Sequence, residues 1–318
     1  MRSDTARNIA KLGVGLNYQP QLRPFLQNFP GEIDFLEVVP DIFWVDHGPE
    51  AKPRYVDDTA ALQFLHSMRR HIPVVPHGIG LSIGSAHRFN REHVVQLAHW
   101  VDRFGVPWHS DHLSYHLSAP TLAADHAEQT TAAESNVGIT MPLPRTQTTL
   151  ARLKPRIKYI LEVIRNPFLL ENNVYFVDLP DDEMGEAEFL NLLCAETGCG
   201  LLLDLHNVYV NSCNMGFDPL DLVASVNLEN VVEIHLAGGT WDDDYYLDSH
   251  SGATPAPVWE LLDFVLPRAP NVAGIVFELF GSWYSALGEG GLRAELRRVR
   301  ERWDAHQPAA SSIVGSHV

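Results

Sequence analysis

The sequence predicts an α/β fold of the closed (β/α)8 type, a TIM barrel. Eight short β-type runs alternate with segments whose apolar residues recur at the three- and four-residue spacing of amphipathic helices. The length of 318 residues suits one such barrel with a few insertions. An open doubly wound sheet is the alternative, but the first predicted strand, GVGLNY, lacks the G-x-G-x-x-G spacing of a nucleotide turn.

The predicted elements follow one another along most of the chain. The strands are predicted at Gly13–Tyr18, Phe35–Val39, Pro73–His77, Trp108–Leu113, Phe168–Asn172, Gly200–Val210, Val231–Ala237 and Gly274–Leu279. The helices are predicted at Thr59–Arg70, Arg91–Phe104, Gln147–Ile164, Glu186–Thr197, Pro219–Val226, Pro257–Val265 and Leu292–Trp303. Gly198 is a helix stop of the usual kind, because glycine adopts the left-handed conformation that ends many helices.

The chain contains no recognisable interdomain linker. Residues 1–307 are therefore predicted to form a single metalloenzyme barrel, and residues 308–318 a disordered tail. Two long loops, Ala119–Pro144 and Gly238–Ala256, are expected at the C-terminal ends of the strands, where such loops often bind ligands. Trp241 and the acidic residues after it form either a lid or a solvated loop.

Composition excludes several classes of protein. No apolar run approaches the roughly 20 residues of a membrane helix, and the N-terminal residues lack the apolar core of a signal peptide, so a cytoplasmic location is predicted. Three cysteines, none in a C-x-x-C pair, argue against disulfides and thiolate zinc sites. The net charge of −17 disfavours a nucleic-acid partner. The 16 histidines favour the hypothesis that the chain binds metal ions.

Polar side chains stand at the end of every predicted strand, which is where barrels carry their active sites. These residues are Asn17, Glu37, His77, Asp111, His112, Glu171, Asp204, His206, His235 and Glu278, with Asp248 and His250 in the loop after strand seven. One buried carboxylate could be a structural ion pair, but so many at one rim favour metal ligation. Imidazoles and carboxylates without sulfur suit iron, manganese, zinc or cobalt. Their number exceeds the coordination of one ion, so two or three ions are predicted.

The alternation of side chains along a strand refines the prediction for two pairs of these residues. Asp204 and His206 would project to the same side of a strand, as ligands of adjacent ions. Asp111 and His112 cannot both do so, and one of them is expected to orient a ligand instead. His93 and His99, on a predicted helix, are expected to face solvent.

Six motifs together resemble the multinuclear non-heme iron-dependent oxidase family. They are HGIGLSIGS from His77, SDHL from Ser110, ENN from Glu171, LLLDLHNVYVN from Leu201, EIHLAG from Glu233 and DSHSG from Asp248. The resemblance extends over about residues 12–300 and includes the spacing between the motifs. It is strong for the family and weak for any individual member.

The resemblance implies a xylose-isomerase-like barrel that holds two or three iron ions and uses O2 as co-substrate. Relatives such as the methanobactin-forming oxidase and the thiaglutamate-pathway oxidase oxidise cysteine in ribosomally made precursor peptides, which a small partner protein commonly presents. Carried over to this chain, the ligand candidates are His77, His112, Glu171, Asp204, His235, Asp248, His250 and Glu278, with His206 added from its strand-end position.

Two positions depart from the pattern of that family. Asp111 stands where the family usually has Glu, and His206 stands where the sixth-strand motif usually has Asn. These two residues are the candidate catalytic residues, and His206 is also a ligand candidate. Two alternatives stay open: a zinc- or manganese-dependent isomerase or hydrolase on the same fold, and a non-enzymatic metal-handling protein. An isomerase would more often carry a lysine beside its metals, and no predicted strand end has one.

Overall fold

The predicted barrel is confirmed in a computed structural model, which describes residues 9–86, 88–118, 135–177, 179 and 181–306. The strands are β1 (Gly13–Asn17), β2 (Phe35–Val38), β3 (Trp44–Asp46), β4 (Tyr55–Asp57), β5 (Val74–Gly78), β6 (His109–His112), β7 (Tyr115–Ser118), β8 (Ser135–Met141), β9 (Phe168–Glu171), β10 (Gly200–Asp204), β11 (Val231–Leu236), β12 (Thr240–Asp242), β13 (Tyr245–Leu247) and β14 (Gly274–Phe277). Eight of these strands close in the order β1, β14, β11, β10, β9, β6, β5, β2. All neighbouring pairs in the ring are parallel, so the carboxyl ends of the strands meet at one mouth.

The helices lie around this ring. They are α1 (Arg23–Asn28), α2 (Thr59–Arg69), α3 (Arg91–Phe104), α4 (Gln147–Val163), α5 (Glu186–Thr197), α6 (Leu205–Met215), α7 (Pro219–Ser225), α8 (Ala256–Val265) and α9 (Tyr284–His306). Local signals set their ends: Asn90 caps α3 by accepting a hydrogen bond from the amide of His93. Gly198 ends α5 in the left-handed conformation, as predicted. No helix of the described residues is both long and apolar enough to cross a membrane.

Two apolar cores hold the barrel. One lies between the outer faces of the strands and the helices and includes most of the buried leucine and valine residues. The other fills the barrel interior and contains Phe35, Val75, Trp108, Leu169, Leu202, Val232, Ala273 and Val276. A packed interior leaves no passage through the barrel, so chemistry is confined to its mouth.

Three small antiparallel hairpins lie in segments for which the sequence predicts neither a strand nor a helix. The β3–β4 hairpin follows β2, β7–β8 follows β6, and β12–β13 follows β11. The prediction of an unstructured loop over Ala119–Pro144 was wrong where β8 forms, and residues 119–134 lie outside the described residues. The prediction of a loop over Gly238–Ala256 was wrong in the same way where β12 and β13 form. The turn between these strands holds Asp243 at a φ of 48°. The predicted tail 308–318 also lies outside the described residues.

The sixth predicted strand was too long. The strand β10 ends at Asp204, whose carboxylate accepts a hydrogen bond of 2.8 Å from the amide of Asn207 and so caps α6. His206 therefore lies in the first turn of a helix, and the argument that strand alternation places it beside Asp204 was wrong. A second correction concerns His93, which is only 5% exposed and has its Nε2 3.3 Å from Asp41 Oδ1.

Candidate metal centre

All of the predicted ligand candidates come together at the mouth of the barrel. They form three clusters, in each of which one potential ligand atom per residue lies within 4.8 Å of the others. The His77 cluster is His77, His112 and Glu171; the central cluster is Glu171, Asp204, His235 and Glu278; and the His250 cluster is His206, Asp248 and His250. Glu171 belongs to the first two clusters, and His250 Nε2 lies 3.7 Å from Glu278 Oε2, so the three form a connected row. That these residues bind metal stays a prediction.

The His77 cluster is built by β5, β6 and β9. The Nε2 atoms of His77 and His112 lie 3.1 and 3.2 Å from the same oxygen, Oε2 of Glu171. The opposite ring nitrogens are held by the barrel: His77 Nδ1 lies 2.9 Å from the hydroxyl of Ser110, and His112 Nδ1 donates to the carbonyl of Gly78 at 3.1 Å. Both rings are thereby oriented with Nε2 facing the cluster, as in metalloproteins where the second nitrogen is hydrogen-bonded.

The central cluster repeats this arrangement with the nitrogens exchanged. His235 Nε2 donates to Glu37 at 2.8 Å, and both side chains are buried. His235 Nδ1 then faces the cluster, 3.1 Å from Glu278 Oε2 and 3.6 Å from Glu171 Oε1. Glu37 is thus a buried carboxylate that fixes the orientation of a ligand candidate.

The His250 cluster lies beside the central cluster. His206 Nδ1 is 3.0 Å, and His250 Nε2 is 2.9 Å, from Asp248 Oδ1. His250 Nε2 also lies 3.7 Å from Glu278, which joins the two clusters. His250 has a φ of 42°, a left-handed conformation that costs energy for a residue with a side chain and is common at functional sites.

Asp204 is held in place by Asn172 of the ENN motif and Asn207 of the LLLDLHNVYVN motif. Asn172 accepts from the amide of Asp204 at 2.8 Å and donates to its carbonyl at 2.9 Å. Asn207 donates to the carbonyl of Asn172 at 3.0 Å, while its own amide donates to Asp204 Oδ1. These bonds tie the end of β9 to the end of β10. The Oδ2 atom of Asp204 has no hydrogen-bond partner and is the atom left available to a metal ion.

The geometry of the close contacts fits metal ligands better than ion pairs. Glu171 Oε2, His235 Nδ1 and His250 Nε2 all have neighbours within 3.2 Å, yet none makes an aligned hydrogen bond. Buried polar atoms without such bonds are costly, and coordination to a cation removes the cost. His206 Nε2 is a further buried atom without a partner. The donor set of imidazoles and carboxylates therefore fits two or three transition-metal ions.

The pKa shifts of residues in the clusters also favour bound cations. Burial raises the pKa of Asp204 well above its usual value, and the neighbouring carboxylates Glu171, Glu278 and Asp248 raise it further. Burial lowers the pKa of His77, but the charges of Glu171 and Glu37 outweigh this and raise it to about 9. Carboxylates crowded this closely need compensating positive charge, which the imidazolium form or bound cations would supply.

Asp111, the other candidate catalytic residue, lies outside the three clusters. It precedes His112 on β6, so its side chain is on the opposite face of the strand. Gly78 makes room for it: a Cβ at that glycine would lie 2.4 Å from Asp111 Oδ2. Asp111 is buried with both carboxylate oxygens unpartnered, and burial, followed by Asp41, raises its pKa well above the usual value.

Sequence reasoning missed Glu233, a member of a fourth group of residues beneath the centre. Glu37, Glu233 and His235 also bring potential ligand atoms within 4.8 Å of one another. Glu233 accepts a hydrogen bond of 2.7 Å from Trp108 Nε1. Burial, reinforced by the charge of Glu37, raises the pKa of Glu233 to about 8. The signal was available, because Glu233 and His235 are two residues apart on a strand and face the same side.

Comparisons with known proteins place these observations in a family. The family model described as RiPP precursor modification enzyme MbnB/TglH/ChrH matches residues 12–281. A UPF0276 protein of Caulobacter vibrioides is 33% identical over 294 residues, which cover 92% of this chain and 94% of that protein. A UPF0276 protein of Rhizorhabdus wittichii is 32% identical over 265 residues, covering 83% of this chain and 86% of that protein.

Solved structures confirm the xylose-isomerase-like barrel. Endonuclease IV of Thermus thermophilus superposes with a TM-score of 0.53 at 16% identity, covering 93% of this chain and 99% of that chain. D-Psicose 3-epimerase of Clostridium cellulolyticum gives 0.52 at 10% identity, with the same coverage. At these identities the likeness concerns the fold alone.

Proposed function

Because this chain belongs to the MbnB/TglH/ChrH family of RiPP precursor modification enzymes, we propose that it is an O2-dependent oxidase with two or three iron ions. Its substrate is a ribosomally synthesised precursor peptide, in which it modifies cysteine. The observation that carries the proposal is the row of three buried clusters, which offers nitrogen and oxygen ligands to more than one ion. A small partner protein that presents the peptide is part of the proposal.

Iron held by these residues would supply one-electron chemistry with O2 and a Lewis-acidic position for a cysteine thiolate. The protein supplies orientation. Ser110, Gly78 and Glu37 fix the rings of His77, His112 and His235, so that their remaining nitrogens face the clusters. Preset ligand geometry lets the ions and the substrate meet without reorganisation of the site.

Aromatic rings cover the His250 cluster. The ring of Phe280 lies 4.5 Å from that of His250, and the ring of Tyr246 lies 5.8 Å from that of His206. Tyr246 is itself packed against Tyr209 and Trp241. These rings exclude water from one side of the cluster, which strengthens electrostatic interactions there.

The two candidate catalytic residues differ in placement. His206 is the better placed, because it belongs to the His250 cluster and its Nε2 atom is buried without a hydrogen-bond partner. It is also where the chain departs from the usual family pattern, so we assign it a role in setting the outcome of the reaction. Asp111 would act only through the strand-end residues beside it. Asp111→Asn tests that role, and normal turnover by this variant would remove Asp111 from the mechanism.

The experiment that tests the function uses a cysteine-containing precursor peptide, which is to be sought as a short open reading frame beside the gene for this chain. Iron-loaded protein, with the adjacent partner protein when one is encoded, should consume O2 and change the mass of that peptide at cysteine. A peptide with Ser in place of Cys is the control and should stay unmodified. A zinc-loaded, colourless protein that turns over fully would contradict the oxidase. No turnover with iron, peptide and partner would favour a metal-handling role.

A further inference from the structure

A groove runs from the mouth of the barrel along the outside of α3. It consists of three adjoining hollows of about 310, 380 and 440 Å³. Tyr55 of β4 lines all three. The first hollow is also lined by Gly80 and His116, which follow the ligand candidates His77 and His112 closely along the chain. The groove therefore begins on the side of the barrel mouth where β5 and β6 end.

The walls of the groove are fixed by polar contacts. Arg54 Nη1 binds Glu92 at 2.6 Å, and Arg103 Nη1 binds Asp57 at 2.6 Å. Between them, Asn90 donates to the hydroxyl of Tyr55 at 3.1 Å. The β3–β4 hairpin is thus fastened to α3 along its length, and the groove is formed before any ligand arrives.

The strand β4 carries an unpaired edge in this groove. The amides of Asp58 and His47 donate to Phe43 and Arg54 across the hairpin. In an antiparallel ladder such bonds occur at every second pair. With the observed register, Tyr55 and Asp57 therefore direct their N–H and C=O groups away from β3. Within the part of the chain that the structure describes, no other strand pairs with β4.

Apolar side chains lie on both sides of that edge. Val56 of β4 and Val95 of α3 line the groove and are each 41% exposed. An added strand would point alternate side chains at such positions. The 14 residues of α3 span about 21 Å, enough for roughly six residues of extended chain.

We propose that this groove binds an extended segment of the precursor peptide, away from its reacting cysteine, as a third strand on the edge of β4. The proposal rests on the proposed function and adds to it how the substrate is held. A single extended chain fits the hollows between a strand edge and a helix better than a folded surface does. The segment is expected to carry apolar side chains at alternate positions.

Two pairs of variants test the groove. Asp57→Pro removes an outward N–H, and Asp57→Ala is its control, because both lose the bond to Arg103 while only proline loses the N–H. Val95→Glu places a charge in the groove. Its control is Val45→Glu, which adds the same charge at a residue 53% exposed on β3 and outside the groove lining.

The probes are the full-length precursor peptide and a short fragment centred on its cysteine. Asp57→Pro and Val95→Glu should each raise KM for the full-length peptide at least tenfold, leave kcat unchanged, and leave the fragment unaffected. Val45→Glu should behave as wild type, and Asp57→Ala, which keeps the N–H but loses the bond to Arg103, should raise KM far less than Asp57→Pro does. Hydrogen exchange should slow at Tyr55 and Asp57 when the full-length peptide is added. Val95→Glu keeps the test decisive if Asp57→Pro misfolds.

Several outcomes would overturn the groove. A wild-type KM for the full-length peptide in both test variants would do so. Variants that lose only the binding of the partner protein would also do so, because that protein would then be the occupant of the groove. If the groove assignment fails in either way while all variants still modify the fragment, the proposed function holds. If wild-type protein neither binds nor modifies either peptide, both proposals fail.

Discussion

Removal of the negative charge at Glu37 should weaken metal binding without any change in a ligand. Glu37 accepts a bond of 2.8 Å from His235 Nε2, and both side chains are buried. Comparable partners of metal-ligating histidines change metal affinity 10- to 100-fold when altered, or about 1.4–2.7 kcal/mol. Glu37→Gln keeps an acceptor but loses the charge, so about tenfold weaker iron binding is expected. Glu37→Leu removes the acceptor, and about 100-fold is expected.

The assay is competition for ferrous iron with a chelator under anaerobic conditions, with thermal unfolding of the metal-free protein as a check on folding. Glu32→Gln is the matched control, because Glu32 bonds Arg293 at 2.7 Å away from the clusters. It should bind iron as wild type does. Wild-type iron affinity in folded Glu37→Leu would refute the idea that Glu37 orients a ligand.

Three further changes have distinct expected results. Asp204→Asn should lose iron and stay folded, because the side-chain carbonyl of Asn still caps α6. Asp204→Ala should lose iron and also about 1 kcal/mol of stability, because Ala cannot cap the helix. Full iron content in both variants would exclude Asp204 as a ligand. His206→Asn, which restores the usual family residue, should change the product or rate with little loss of iron, as measured by peptide mass and metal analysis; an unchanged reaction would refute a role for His206. Burial, only partly offset by Arg145, raises the pKa of Glu186 to about 7. The folded state therefore binds the proton more tightly, so Glu186 should lower stability as pH rises from about 4.5 to 7, by up to roughly 3 kcal/mol. Urea unfolding of Glu186→Gln should lack this part of the pH dependence, and identical slopes in variant and wild type would contradict it.

The ligand candidates could be found from sequence because a parallel barrel brings every strand end to one mouth. The positions of His77, Glu171, His235 and Glu278 needed only the strand assignments. The location of His206 in the first turn of a helix could not be predicted in the same way. The leucines before Asp204 read equally well as a strand that continues or as one that stops, and the cap formed by Asp204 with Asn207 decides between them.

The hairpins and the buried carboxylates were missed for other reasons. The strands β3 and β4 are three residues each. Bonds from Arg54 to Glu92 of α3 and from Arg103 of α3 to Asp57 hold them in place, rather than local propensity. Glu37 was visible as a strand-end residue, but its pairing with His235 joins positions far apart in the chain. Such long-range pairing follows from barrel closure and has no local signal in the sequence.

The most direct test of the account is the iron content of the protein reconstituted without oxygen, followed by O2 uptake when the precursor peptide is added. The three connected clusters predict two or three iron ions per chain and uptake that requires both iron and the peptide cysteine. Fewer than two ions in fully active protein, or equal activity after replacement of iron by zinc, would contradict the account.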